Sequence, residues 1–367
     1  MQKKLVLLVA LAACRIPDEH YTHIGDLGDA GPGGDGAPGG DAAPNPNALT
    51  RGYLFDFQTG IYRVNKDPGT GALTLADPNP TVAGGAPSGV ASKDGTHLYA
   101  VLGASSQLID FSIAASGALT QQAITSTGAC APTAARLHPG GKFLAVGCSN
   151  AQIAIVPITA NGALGTPVLT PAGVIPATPA FTPNGSCLYF TDLNGPATSR
   201  ILAFQFNPVT GAVAPSGGAP GPSIPRGLAV HPGGATAYMA GNGTIQPYIV
   251  DASCGLSLMA SLPVGSNTQG ITIDPPGGRL FVTGTEVYAF SIAGTGTLTA
   301  IPGSPFLATG TTMDGATMDP AVPNLLYITG RGYSGSFVAQ ISGNGMISQV
   351  SSLTVGGGGD TWLQLVK

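Results

Sequence analysis

The sequence predicts an all-β fold, a seven-bladed β-propeller, and three observations predict it. A glycine-bearing turn between apolar segments recurs at Gly95, Gly141, Gly185, Gly234 and Gly278, with Asn324 in the sixth place, at intervals of 46, 44, 49, 44 and 46 residues. A second turn motif ends in an aliphatic residue and recurs seven times: "TGAL" to Leu73, "SGAL" to Leu119, "NGAL" to Leu164, "TGAV" to Val213, "CGLSL" to Leu258, "TGTL" to Leu298 and "NGMI" to Ile347. The chain ends "GDTWLQLVK", 359–367, which aligns with the first strands of the repeats although it comes last. A period of about 40–50 residues marks a repeat architecture. No segment sustains a helical period, so each unit reads as four short antiparallel strands. In the third unit these are expected at 133–137, 142–147, 152–158 and 163–170.

In chain order, residues 1–13 read as a signal peptide. Met1-Gln2-Lys3-Lys4 is positively charged, and Leu5 to Ala13 is an unbroken apolar run. That run is shorter than the ~20 residues a transmembrane helix needs. Leu11-Ala12-Ala13-Cys14 resembles the lipobox of bacterial lipoproteins, which implies that Cys14 becomes a lipidated N-terminus. Arg15 in place of Asp implies, by that family's sorting rule, the outer membrane rather than the inner. The expected location is the bacterial cell envelope, with the membrane as a partner through the lipid. Residues 14–47 form a tether. Its Gly/Pro/Asp-rich text "GDLGDAGPGGDGAPGGDAAPNPN" holds almost no large apolar residue, so it cannot bury a core. Its glycine triplets break at Ala37, too soon for a collagen helix.

Residues 48–367 form the propeller. Its first unit opens at "RGYLFDF", which matches the second strands of the others, so its inner strand is missing. The C-terminal strand supplies it and closes the ring, which removes two open sheet edges. Gly (56) and Pro (32) punctuate the apolar segments at regular places, as turns do. Charged residues make up 9% of the chain, net charge is −4 and no basic run occurs. Nucleic-acid binding needs clustered Lys and Arg to neutralise phosphates, and is set aside.

Four cysteines remain besides Cys14, an even number in an exported chain, which points to disulfides. Cys130 precedes the first strand of blade three and Cys148 ends its second, so hairpin topology makes them neighbours. Cys187 and Cys254 fall in turns on the opposite face of adjacent blades. The pairs expected are Cys130–Cys148 and Cys187–Cys254, against buried free thiols as the alternative.

The starts of the first strands and the ends of the second meet at one mouth of the central channel. The starts are Asp360, Ser88, Thr133, Ala177, Arg226, Gln269 and Asp314; the ends are Asp56, Leu102, Cys148, Asp192, Asn242, Glu286 and Arg331. The candidate ligand site is Asp192, Arg226, Gln269, Glu286, Asp314, Arg331 and Asp360. The alternative is that these residues form ion pairs fastening the blades. His97, His138 and His231 fall at strand or turn positions away from that mouth, and His20 and His23 lie in the tether, so no metal and no cofactor is expected.

The succession of hairpin, "HPGG" and "TGAL" resembles the lactonase-type seven-bladed propellers and the YVTN-type surface repeats over roughly residues 48–367. In the lactonase family, blade four opens with a His and its second strand ends Asp-Leu-Gly, while blade five opens Pro-Arg-His and later shows an acid. Here Asp192-Leu193-Asn194 and Pro225-Arg226 match in part, Ala177/Thr178 and Gly227 occupy the His positions, and "MAGNG", 239–243, lacks the acid. These departures favour a binding or interaction module without catalysis, taking a polar or anionic small molecule or an envelope protein as partner. The alternative is a lactonase-like hydrolase acting on a sugar-acid lactone or similar cyclic ester, with Arg226 holding carboxylate or phosphate.

Overall fold

The apolar runs of each repeat are short and rich in β-branched and aromatic residues, and each becomes a strand. Phe143–Cys148 and Cys187–Asp192 are buried along their whole length, as strands covered on both faces by neighbouring blades must be. The computed structural model describes residues 49–84, 88–193, 200–307, 312–330, 336–355 and 360–366. The expected signal peptide, Cys14 and the expected tether lie outside the described residues.

Seven antiparallel sheets form, each a meander of four strands from the inside outward, with a short fifth strand added in blades one and five. The strand Asp360–Val366 pairs with Arg51–Asp56, in register from Arg51↔Val366 to Phe55↔Trp362, and completes blade one from the inside. The inner strands Asp360–Val366, Ser88–Ala91, Pro132–Leu137, Pro176–Phe181, Gly227–Val230, Ile271–Ile273 and Met313–Met318 touch in that order, and the last touches the first. The ring is therefore closed. Apolar clusters fill the wedges between blades. Phe55, Trp362, Leu98 and Phe111 fill one, and Phe143, Phe181, Phe204 and Phe206 another.

The structure explains both repeated motifs. In the first, the carbonyls of Ser92, His138, Thr182, His231 and Asp274 accept the N–H of Gly95, Gly141, Gly185, Gly234 and Gly277, at 2.7–3.0 Å. Those glycines hold φ of 70–79°, left-handed backbone that a side chain resists. The sixth-blade anchor is thus Gly277 and not Gly278, because Pro275-Pro276 fill the middle of the turn. The two turn histidines also staple blades. His138 accepts the Gly140 N–H at Nδ1 (2.9 Å), and its Nε2 lies 3.2 Å from the Gly185 carbonyl of the next blade. His231 repeats this with Gly233 (2.9 Å) and Gly277 (2.8 Å).

The second motif is a socket. Tyrosines of the second strands donate their hydroxyls to carbonyls in it on an adjacent blade: Tyr53 to Gly117, Tyr99 to Gly162, Tyr189 to Cys254, Tyr238 to Gly296 and Tyr327 to Gly71, at 2.7–3.3 Å. Each phenol buries its ring in a wedge while its polar end finds a partner. Burial accordingly raises the Tyr53 hydroxyl to about 12.

Ring closure has its own fastening. Lys66 of blade one and Asp319 of blade seven form an ion pair at 2.7 Å with both side chains fully buried. Lys66 also donates to Leu49 O at 3.1 Å, and Asp319 Oδ1 accepts the N–H groups of Ala321 and Val322 at 2.9 and 3.0 Å. The disulfides are Cys130–Cys148 and Cys187–Cys254, as topology predicts.

One expected boundary moves. The outer strand of blade three is Val168–Pro171, not 163–170, and Ile158↔Leu164 survives only as an isolated bridge. The long outer strands Leu119–Ser126, Val213–Pro220 and Ile347–Leu353 each carry a register break against their neighbour. Such bulges bend an edge away from pairing with another chain.

Candidate functional site

The expected mouth is built on bulges. The inner strand slips register at Thr133 in blade three, between Pro176 and Pro179 in blade four and at Asp314 in blade seven. In blade five the N–H of Arg226 donates to Ala240 O at 2.9 Å, while Gly227 is the registered partner of Ala240. In blade six the Gln269 N–H donates to Thr283 O at 2.7 Å, and Thr283 N–H to Gly270 O at 2.9 Å. An extra residue at the strand start re-aims a side chain, a device that recurs next to sites.

Contacts string these strand starts together. Thr133 Oγ1 donates to Pro176 O at 3.2 Å, and Thr178 Oγ1 to Arg226 O at 2.8 Å. A Cβ on Gly227 would lie 3.0 Å from Gln269 O, and one on Gly270 would lie 3.0 Å from Asp314 O. Arg226, Gln269 and Asp314 therefore stand on successive, closely packed strands, as the sequence alignment places them. Arg226 is partly buried, and its Nε is buried with no hydrogen-bond partner among the described residues. Gln269 is 9% exposed, and its Oε1 has no partner. Asp314 is fully buried.

The other expected residues fare differently. Asp192 is fully buried at the end of its strand, 3.6 Å from Arg200 Nε on the next strand of the same blade. Its neighbour Thr191 accepts the Thr178 N–H at 3.1 Å, which links it to the strand bearing Arg226. Glu286 sits in the turn before Val287–Ile292 and accepts the hydroxyl of Tyr288. That bond and burial raise the Tyr288 hydroxyl, with burial the larger cause. Asp360 lies opposite Asp56 beyond a register break, and the Asp56 carboxylate is taken up by the N–H groups of Gln58 and Thr59 at 2.7 and 2.8 Å. Arg331 lies outside the described residues.

Two arginines escaped the sequence reading. Arg200 is the charge facing Asp192. Arg136, 8% exposed on the inner strand of blade three, donates to Pro179 O at 3.5 Å. The signal for Arg136 was its place inside "TAARL", a first strand otherwise of small and apolar residues. Among the described residues no three His, Cys, Asp or Glu side chains gather as a metal cluster.

Gly227 bears on the chemistry. A Cβ there would stand 2.8 Å from Ile271 Cγ2 and 3.0 Å from Gln269 O. A side chain at 227 would therefore require the Ile271 side chain and the Gln269 carbonyl to shift.

Comparison with known proteins adds to this geometry. No curated relative matches the chain. Among solved structures the chain is similar to a candidate 6-phosphogluconolactonase from Bacteroides uniformis, with TM-score 0.75 and 19% identity over 86% of this chain and 99% of that one. It is also similar to a periplasmic gluconolactonase from Pseudomonas aeruginosa, with TM-score 0.73 and 16% identity over 86% and 99%. Identities this low establish the shared fold alone. The lactonase family of seven-bladed β-propellers matches the sequence itself over residues 52–264. By that match, and by a closed ring of seven four-stranded blades, the chain belongs to the lactonase family of seven-bladed β-propellers.

Proposed function

We propose that the chain is a lactonase-like hydrolase of the cell envelope, held by lipid at Cys14, that takes a sugar-acid lactone at the mouth where Arg226 stands. The observation that carries this is the Arg226 guanidinium, on a bulged inner strand with a buried Nε that meets no acceptor among the described residues. Such a group suits a carboxylate, a phosphate or a polarised ester carbonyl. Family membership and the gluconolactonase-type neighbours support the lactone as the substrate class. In the reaction, water adds to the lactone carbonyl, a mouth carboxylate takes the proton of that water, and the ring C–O bond breaks. The protonated carboxyl group passes that proton to the departing ring oxygen, which leaves as a hydroxyl and yields the open hydroxy acid. Asp192 and Asp314 are the carboxylates proposed for the proton.

The second reading, a binding module without catalysis, has one observation in its favour. The family's histidine position in blade five is Gly227, where an added Cβ would press on the Ile271 side chain and the Gln269 carbonyl. Titrating acid release from D-glucono-δ-lactone and related lactones separates the readings, with heat-denatured protein as control. Turnover lost in Arg226→Ala and in Asp314→Asn or Asp192→Asn supports the hydrolase. Binding of the lactone without acid release supports the module.

A further inference from the structure

Gln269 opens the inner strand of blade six, where it and Gly270 together face Thr283. A buried amide oxygen without a partner is rare in native structures, because its lost water is not replaced. The Gln269 Oε1 is one such atom, and the Arg226 Nε on the adjoining strand is another. The two are opposite in kind: the guanidinium only donates, and the amide oxygen only accepts. A bare carboxylate satisfies the first and is repelled by the second. A ligand carrying a hydroxyl beside its acidic or ester group satisfies both. Ser88 Oγ, on a residue 1% exposed at another of the seven strand starts, is a third buried polar atom without a partner.

We propose that Gln269 is the specificity-determining residue of the Arg226 site, accepting a hydrogen bond from a ligand hydroxyl. The site then selects hydroxylated acids and their lactones over unsubstituted acids of the same charge. This rests on the ligand reading of Arg226 given above. A site built to hydrogen-bond a hydroxyl rejects the analogue lacking it strongly, since its own polar atom is then left buried and unmet.

The test is calorimetric titration of the full chain with D-gluconate and with hexanoate, which has the same length and charge without the hydroxyls. The wild type is expected to prefer gluconate by about 100-fold or more. In Gln269→Leu the preference is expected to shrink at least about tenfold, while the ligand-free melting temperature stays at or above that of the wild type. Gln269→Glu keeps the side-chain size, and its carboxylate repels the ligand acid, so gluconate binding is expected to fall. An unchanged preference in Gln269→Leu, with binding still lost in Arg226→Ala, overturns this inference alone. A wild type that binds neither gluconate nor its lactone overturns the ligand reading as well. A ligand-free Gln269→Leu that melts several degrees low shows the amide to be structural and also overturns the inference.

Discussion

Replacing Lys66 with Met tests how the ring is held shut. The Lys66–Asp319 pair joins the first blade to the seventh at 2.7 Å, with neither side chain exposed. Methionine preserves much of the volume of the lysine stem and removes only the charge and its bonds. It leaves Asp319 with the N–H groups of Ala321 and Val322 and the Tyr327 hydroxyl at 3.4 Å, and it leaves Leu49 O without the lysine. Removing one partner of a buried pair costs about 3–5 kcal/mol, because the remaining charge stays in a low-dielectric site. For a domain of this length that is a melting-temperature drop of ~4–7 °C. Paired urea and thermal melts of wild type and Lys66→Met measure it. The pair Arg63–Asp77, whose Asp side chain is 53% exposed, is the internal control: Asp77→Asn loses the charge pair at little cost, about 1 kcal/mol or less, and leaves the Arg63 bond to Ser116 O in place. A Lys66→Met protein within about 1 kcal/mol of the wild type would refute the view that this pair fastens the ring.

Four further outcomes are expected. Burial depresses the His138 pKa below its ordinary value, so its contribution is fully present above the unfolded value of ~6.5 and is lost as pH falls below it; His138→Gln should flatten the stability slope between pH 7.5 and 5.5 in urea melts, and an equal slope in both proteins would remove this account. Deleting residues 359–367 takes away the inner strand of blade one, so the truncated chain should show no cooperative melt, whereas trimming residues 15–46 should leave the melting temperature nearly unchanged. Cys130–Cys148 closes a loop of 18 residues and Cys187–Cys254 one of 67, which chain entropy values at roughly 3 and 4 kcal/mol; double Cys→Ala variants should show losses in that order, and a reversed order would count against the entropic view. Arg226→Ala should abolish ligand-induced stabilisation while changing the ligand-free melting temperature by little, because its Nε meets no hydrogen-bond partner among the described residues; a large drop in the ligand-free melt with no ligand-induced shift in the wild type would make Arg226 a structural fastening.

The sequence by itself determined the architecture, because a propeller writes its local chemistry at every turn. A left-handed residue is needed at the same place in the turns of blades two to six, so Gly95, Gly141, Gly185 and Gly234 are visible as a period before any contact is known. The displaced strand "GDTWLQLVK" was legible for the same reason, and so were the disulfides, since knowing which strand ends meet in a hairpin already brings Cys130 to Cys148. The site was legible as positions on strands: Arg226, Gln269 and Asp314 stand where the alignment puts them. Tertiary structure decided what those positions do. Asp192 found Arg200, Glu286 found Tyr288, and Asp56 turned back on its own loop, each through a short-range choice of rotamer and neighbour that repeat spacing does not encode. It also decided that Tyr53, Tyr99, Tyr189, Tyr238 and Tyr327 reach the second motif of an adjacent blade, and that Lys66 meets Asp319 some 250 residues away. Those contacts depend on how one blade is rotated against the next. That rotation is set by the volume of side chains in the wedge between two sheets, a property of packed surfaces that no single repeat carries.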